Sequence, residues 1–252
     1  MPQLQRLAIA RSQLQNQQIL LTTQQKHYLG NVLRLREDDR FIAMDGQGHW
    51  WLAVLKRAEA QILESISVQT ELAVSITLMV ALPKGNAFDE VVRYCTELGV
   101  ACIAPVLSDR TLLNPSVQKL ERWRRIAKEA AEQSERSFVP AILEPVPFAT
   151  SFEVHPERSR RVHTATHRYL CVARSTIPHL KDAISSVTKT DILIATGPEG
   201  GWTASEIECA QAAGFQLVSL GRRILRAVTA PIVALSLVAA AFEPVTGADS
   251  YD

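Results

Sequence analysis

Two regimes of hydrophobic patterning divide this chain. Over residues 1–72 the apolar positions come in short runs, several alternating with polar ones at a period of two, which predicts half-buried strands. Residues 4–10 read as the first strand. Residues 40–44 and 50–55 read as two more, joined by the turn Asp45-Gly46-Gln47-Gly48, whose glycines supply positive φ. Residues 61–68 form a further alternating run. One helix is predicted between the first strand and this hairpin, capped by Thr22 or Thr23, with Tyr28, Val32 and Leu33 as its apolar face. Several short strands and one helix in so short a stretch predict a small barrel.

From Val74 onward the pattern changes. Residues 75–82 are almost continuously apolar, as in a strand covered on both faces. Phe88, Val91, Val92, Cys95 and Leu98 then recur at helical spacing, with Asn86 as the cap and Gly99 as the stop. Residues 101–107 read as the next strand. Asn114-Pro115 opens a second helix whose inner face is Leu120, Trp123, Ala127, Ala130 and Ala131. Residues 145–167, with three prolines and a charged run at 156–161, read as an irregular surface insertion. Residues 169–173, 191–196 and 215–220 are strand-like and separated by helices. Such alternation predicts a parallel sheet. The last helix has Thr229 as its cap and Pro231 in its first turn. From 232 to 242 it is apolar on every face except at Ser236, so it is expected to be buried all round, with a partner subunit as a cover.

Two glycine-rich turns carry the candidate chemistry. Thr196-Gly197-Pro198-Glu199-Gly200-Gly201 follows one strand, and Leu220-Gly221-Arg222-Arg223-Ile224-Leu225-Arg226 follows another. Read as loops at the ends of neighbouring parallel strands, they face one sheet edge, where open α/β sheets bind ligands. The glycines let backbone approach a ligand, and the amides around Gly200 and Gly201 are candidate donors. Thr203 and Glu206 form a capping box for the helix that follows. The arginines supply planar forks suited to phosphate and carboxylate. Taken singly, each loop also fits a purely structural turn.

Composition narrows the ligand. The net charge is +1, from 27 Lys+Arg and 26 Asp+Glu, so bulk charge does not hold this protein to nucleic acid. Residues 1–72 are near neutral too, with eight basic and seven acidic residues. Any RNA contact must come from local clusters. Cys95, Cys102, Cys171 and Cys209 lack C-x-x-C spacing and read as free thiols, and the histidines show no metal-binding spacing, so no metal is expected. His155, His163, His167 and His179 read as exposed. No apolar run is long enough for a signal peptide or a membrane span, which predicts a soluble, cytoplasmic protein with no membrane partner. The chain has no G-x-G-x-x-G after a strand, no P-loop and no nucleophile elbow, which points away from dinucleotides, nucleoside triphosphates and acyl transfer.

The segments GPEGGWTASEIE (197–208) and SLGRRILRAVTA (219–230) resemble the signature of the ribosomal RNA small subunit methyltransferase E family, of the SPOUT class. KGNAFDEVVRYCTELGV (84–100), SDR (108–110), EAAEQSERSFVPAI (129–142) and HYLGNVLRLREDD (27–39) extend the likeness over nearly the whole chain. The resemblance implies an α/β fold in which a PUA-like RNA-binding β-barrel domain (1–72) precedes a SPOUT-type knotted parallel-sheet methyltransferase domain (73–252). It implies S-adenosyl-L-methionine as the cofactor, N3 of a uridine in 16S rRNA of the small ribosomal subunit as the target, and a homodimer. It places cofactor contacts at Val172, Thr196, Gly197, Pro198, Glu199, Gly200, Gly201, Leu220, Gly221, Ile224, Leu225 and Thr229, with the strand end through Arg174 as a third wall.

The chemistry implied is displacement at a methyl carbon after N3 loses its proton. Arg226, or Arg136, is the candidate for stabilising the resulting anion. Glu199 is either a base, a cofactor-orienting group, or a carboxylate resting near a helix N-terminus. Arg6, Arg34, Arg36, Lys84, Arg110, Arg222 and Arg223 are candidate RNA contacts, each of which also fits a solvated surface charge. Three positions depart from the family pattern: Val228 replaces a glutamate, Arg93-Tyr94 replaces Gln-Lys, and Leu7 replaces an aromatic. The glutamate's absence keeps open a catalytically impaired RNA-binding homologue. A related methyltransferase acting on tRNA or another rRNA position is the other alternative.

Overall fold

The computed structural model describes residues 4–57, 59–111, 115–152, 167–173, 176–187 and 191–243. Asn114, Arg174, His155, His163 and most of the expected insertion lie outside the described residues. The chain forms two compact units, one of residues 1–71 with 128–139 and one of residues 72–127 with 140–252.

The first unit is a six-stranded mixed sheet in the order β1-β4-β5-β6-β3-β2. Its strands are β1 (Arg6–Ala8), β2 (Leu14–Gln15), β3 (Gln18–Leu20), β4 (Arg40–Met44), β5 (Trp50–Leu55) and β6 (Glu59–Ile66). β4 and β5 pair antiparallel about the expected turn, where Gly46 and Gly48 take φ of 67° and 98°. β1 lies parallel to β4. The short hairpin β2–β3 was not expected; its turn residues Asn16 and Gln17 sit at positive φ without a glycine to signal it. The helix α1 (Thr23–His27) starts at a capping box in which Thr22 accepts from the Gln25 amide, and it continues as a π turn through Val32. This turn rotates the expected apolar face. Leu29 is fully buried with Leu7, Ile19 and Phe41, whereas Tyr28 and Val32 are exposed.

The segment 128–139 closes this unit. The Ala8 amide, on the free edge of β1, donates to Glu132 Oε1 at 2.7 Å. Arg6 pairs with Glu135 at 2.6 Å and lies over the Trp50 ring. The outward Ala8 amide is thus satisfied by a carboxylate rather than by another strand.

The second unit is a parallel sheet in the order β10-β8-β7-β12-β11-β13, with β9 also on β8. Its strands are β7 (Ile76–Ala81), β8 (Cys102–Leu107), β9 (Ala141–Ile142), β10 (Val146–Pro147), β11 (His167–Cys171), β12 (Ile192–Thr196) and β13 (Gln216–Val218). Every residue of β7 and β12 is buried, as their almost continuous apolar runs require, with Thr77 and Thr196 buried among them. The helices are α2 (Phe88–Glu97), α3 (Val117–Gln133), α4 (Leu180–Ala183), α5 (Ala204–Ala212) and α6 (Thr229–Phe242).

α2 begins after Ala87 with no side-chain cap, so Asn86 does not cap it. Asp89 instead ties α2 to α3, accepting from Arg122 at 2.8 Å and Trp123 at 3.1 Å. The expected inner face of α3 is buried throughout. Thr229 is the first residue of α6 and not its cap. Nor is α6 buried all round within this chain. Pro231, Ala234, Leu235, Val238 and Ala239 are covered, but Ile232, Val233 and Leu237 are half-buried, and Ala240 and Ala241 are exposed.

Candidate active site

Because the sheet is parallel, the C-terminal ends of β11, β12 and β13 share one edge. The two glycine loops do not follow neighbouring strands, as the chain order had led us to expect. β11 lies between them: Cys171 is in register with Thr196 on one side and with Val218 on the other. The insertion of β11 is a matter of sheet order, which the loop sequences do not encode.

A cavity of about 390 Å³ opens at this edge. One wall is Gly197, Pro198, Glu199, Gly200 and Gly201 after β12; another is Leu220, Gly221, Arg223, Ile224 and Leu225 after β13; Val172 and Ala173, after β11, form the third. Its size suits a cofactor-sized ligand. Cys171, Trp202, Ile207 and Ala230 also line it and were missed from the sequence, although Trp202 directly follows the glycine pair. Thr196 and Thr229 do not line it. Thr196 is fully buried in the sheet, and its Oγ1 has no hydrogen-bond partner among the described residues.

Three observations show that this cavity is made by glycine. A Cβ on Gly201 or Gly221 would meet nothing within 4 Å, and their φ values are 69° and 112°. Gly197 is needed for the opposite reason. A Cβ there would lie 3.1 Å from Trp202 Nε1, which donates to the Cys171 carbonyl at 3.2 Å. Trp202 stacks on Phe148 with centroids 4.3 Å apart. The amide of Gly201 is not a ligand donor, because it closes the turn onto the Pro198 carbonyl at 2.9 Å. The amide of Gly221 is likewise taken by Ser219 Oγ at 3.0 Å.

Charged groups gather on the first glycine loop. Glu199 is exposed at the cavity wall and accepts from the Lys84 amide at 3.1 Å, so its carboxylate is tied to the loop after β7 rather than to the start of α5. α5 has its own capping box, in which Thr203 accepts from the Glu206 amide. Arg110 donates to the Gly200 carbonyl. Arg222, Arg223 and Arg226 are exposed, but only Arg223 lines the cavity. Burial pushes the Cys171 thiol up to about 12, which leaves it protonated and apolar in character.

Other expected site residues lie elsewhere. Arg136 is not at the cavity. It is 3% exposed, belongs to the first unit and is committed to Glu71, with Nη2 to Oε2 at 2.5 Å. Arg6 is engaged by Glu135, while Arg34 and Arg36 are exposed on the first unit. Among the described residues no cluster of His, Cys, Asp and Glu has a metal-binding arrangement, and no helix is long and apolar enough to cross a membrane.

Comparison with known proteins assigns the class. Residues 70–239 match the RNA methyltransferase domain family, and residues 21–64 match the RNA methyltransferase PUA domain family. A ribosomal RNA small subunit methyltransferase E of Synechocystis sp. is 48% identical over 244 residues, covering 94% of this chain and 78% of that protein. The enzyme of that name in Bacillus subtilis is 30% identical over 229 residues, covering 86% and 88%. The crystal structure of a ribosomal RNA small subunit methyltransferase E from Neisseria gonorrhoeae bound to S-adenosyl methionine matches with a TM-score of 0.82 and 31% identity over 95% of this chain and 98% of that one. The chain belongs to the ribosomal RNA small subunit methyltransferase E family.

Proposed function

We propose that this chain is an S-adenosylmethionine-dependent methyltransferase that modifies N3 of a uridine in 16S rRNA of the small ribosomal subunit, working as a cytoplasmic homodimer. The observation that carries this reading is the glycine-walled cavity at the ends of β11, β12 and β13. Its residues fit the cofactor: Val172, Leu220, Ile224, Leu225 and Trp202 offer apolar cover for a purine ring, and Gly201 and Gly221 leave open the space that side chains would fill. The cofactor, when bound, supplies a methyl group on a sulfonium for in-line displacement.

The chain's own residues then supply position and charge. In this reading Glu199 receives the N3 proton; it lines the cavity, and the Lys84 amide holds one of its oxygens. Arg226 and Arg223 carry positive charge on the third strand's loop, where they offset the negative charge of the deprotonated base. Holding both reactants in line is the larger part of the rate gain. Lys84 and Arg110, whose groups are hydrogen-bonded to the first glycine loop, and Arg222 in the second are exposed and serve as phosphate contacts. Arg34 and Arg36 do the same on the PUA-like unit. The stripe of α6 only partly covered by the described residues supports the dimer, and the SPOUT knot remains part of this reading.

One observation favours a second reading. Val228, half-buried in the turn before α6, offers no carboxylate where the family usually has one, as in a homologue that binds RNA without modifying it. Mass spectrometry of 16S rRNA from a strain lacking the gene decides the matter. Loss of 3-methyluridine, restored by the wild-type gene, is the expected result; persistence of the modification would overturn the assignment.

A further inference from the structure

The glycine loop that walls the cavity has a second side, and the loops after β7 and β8 are hydrogen-bonded to it. The turn after β8 is tied to the β12–α5 connection and the first turn of α5 at three points. The Asp109 amide donates to Glu206 Oε1 at 3.0 Å, Thr203 Oγ1 donates to Asp109 Oδ2 at 3.1 Å, and Arg110 Nη1 donates to the Gly200 carbonyl. The Arg110 stem also lies on Gly200 itself, where a Cβ would come 3.0 Å from Arg110 Cδ. A Cβ on Gly200 would crowd the Arg110 stem, whereas a Cβ on Gly201 or Gly221 would face open space. The backbone of Arg110 is fixed in turn, its amide donating to Ser108 Oγ at 3.1 Å.

We propose that Arg110 is a positioning residue that carries RNA occupancy to the cofactor loop. This rests on the function proposed above. The guanidinium has five N–H donors and no acceptor, and the bond to Gly200 uses one of them. The residue is exposed, as is Lys84, whose amide holds Glu199 on the same loop. A phosphate oxygen of the substrate RNA takes the remaining fork of Arg110, fixes the guanidinium and thereby stiffens the Pro198–Gly201 turn against the cofactor. Because such coupling is reciprocal, the bound cofactor raises RNA affinity by the same factor. A merely structural arginine would lower stability without linking the two ligands.

The test is calorimetric titration of S-adenosylhomocysteine, the cofactor without its transferable methyl group and so unable to react, into the full-length protein, alone and with small ribosomal subunits from a strain lacking the gene. Wild type is expected to bind the cofactor several-fold more tightly when subunits are present. R110A is expected to bind the cofactor alone about tenfold more weakly, in keeping with loss of a charge-assisted hydrogen bond, and to lose the gain from subunits. R110K keeps the charge and one donor to Gly200, and is expected to recover much of the cofactor affinity but little of the coupling, since it lacks the fork. G200A crowds the same side chain and is expected to weaken the coupling in the same direction as R110A, by less. Thermal midpoints check that each variant is folded. If wild type does not bind the cofactor at all, the proposed function fails. If wild type binds and either shows no gain with subunits or is matched by R110A in both titrations, this inference alone is overturned.

Discussion

Trp202 Nε1 donates to the carbonyl of Cys171 at 3.2 Å, joining the loop after β12 to the end of β11. Two walls of the cavity are thus held by one indole, whose ring is stacked on Phe148 and is 8% exposed. W202F keeps the ring contact and loses the donor, so the Cys171 carbonyl loses its partner. We expect W202F to cost about 1–2 kcal/mol in stability, the usual range for such a bond, and to weaken cofactor binding several-fold. W202A removes the packing as well and should cost about 3–5 kcal/mol. Urea denaturation and calorimetry check the two effects separately.

Gly221 has a φ of 112°, a conformation that an L side chain rarely adopts, although nothing lies within 4 Å of where a Cβ would be. G221A therefore tests backbone strain without a clash. The expected cost is about 1–2 kcal/mol in stability. Gly221 also lines the cavity proposed to hold the cofactor, so cofactor affinity should fall further than stability does. A titration in which G221A binds as wild type would remove this loop from the pocket.

These residues show where the sequence was readable. Local chemistry was legible: the Asp45-Gly46-Gln47-Gly48 turn, the Thr203–Glu206 box and the buried runs of β7 and β12 all formed as patterned. So were the two glycine walls. What was not legible depends on partners distant in the chain. The position of β11 between β12 and β13 is set by sheet order, and the donor to the Gly200 carbonyl, Arg110, lies ninety positions away. Arg136 and Arg6 looked like free cations because Glu71 and Glu135, which neutralise them, carry no signal of that pairing in their own neighbourhoods. Leu29 displaced Tyr28 and Val32 from the core because a π turn breaks the 3.6-residue period on which the expectation rested.

Glu132 accepts the Ala8 amide while largely withdrawn from water, and desolvation raises its carboxyl above the ordinary carboxylate value of 4.5. A carboxyl raised in the folded state binds protons there more readily than in the unfolded chain. Its favourable contribution is therefore complete below about pH 4 and is lost as pH rises through the folded value. E132Q keeps an oxygen for the Ala8 amide and removes the charge. We expect E132Q to match wild type near pH 4 and to exceed it in stability at pH 7–8. Denaturation midpoints measured at both pH values check the sign, and a variant that is weaker than wild type at pH 8 contradicts it.

The partly covered side of α6 gives the last prediction. Its buried positions, Pro231, Ala234, Leu235, Val238 and Ala239, follow an i, i+3, i+4, i+7, i+8 spacing and account for one stripe of the helix. Val233 and Leu237 are half-buried, with Ala240 and Ala241 exposed beside them, so a second apolar stripe is only partly covered by the described residues. In an aqueous protein such a stripe is the mark of an interface. The proposed dimer would bury it, and α6 begins directly after the arginine loop that lines the cavity. L237E puts a carboxylate into that stripe without touching the buried one. We expect L237E to sediment as a monomer at concentrations where wild type is a dimer, with far-UV circular dichroism unchanged. Methyl transfer should fall with it, because the arginine loop loses the support of the partner helix. A dimeric L237E, or a monomeric wild type, would place the interface elsewhere.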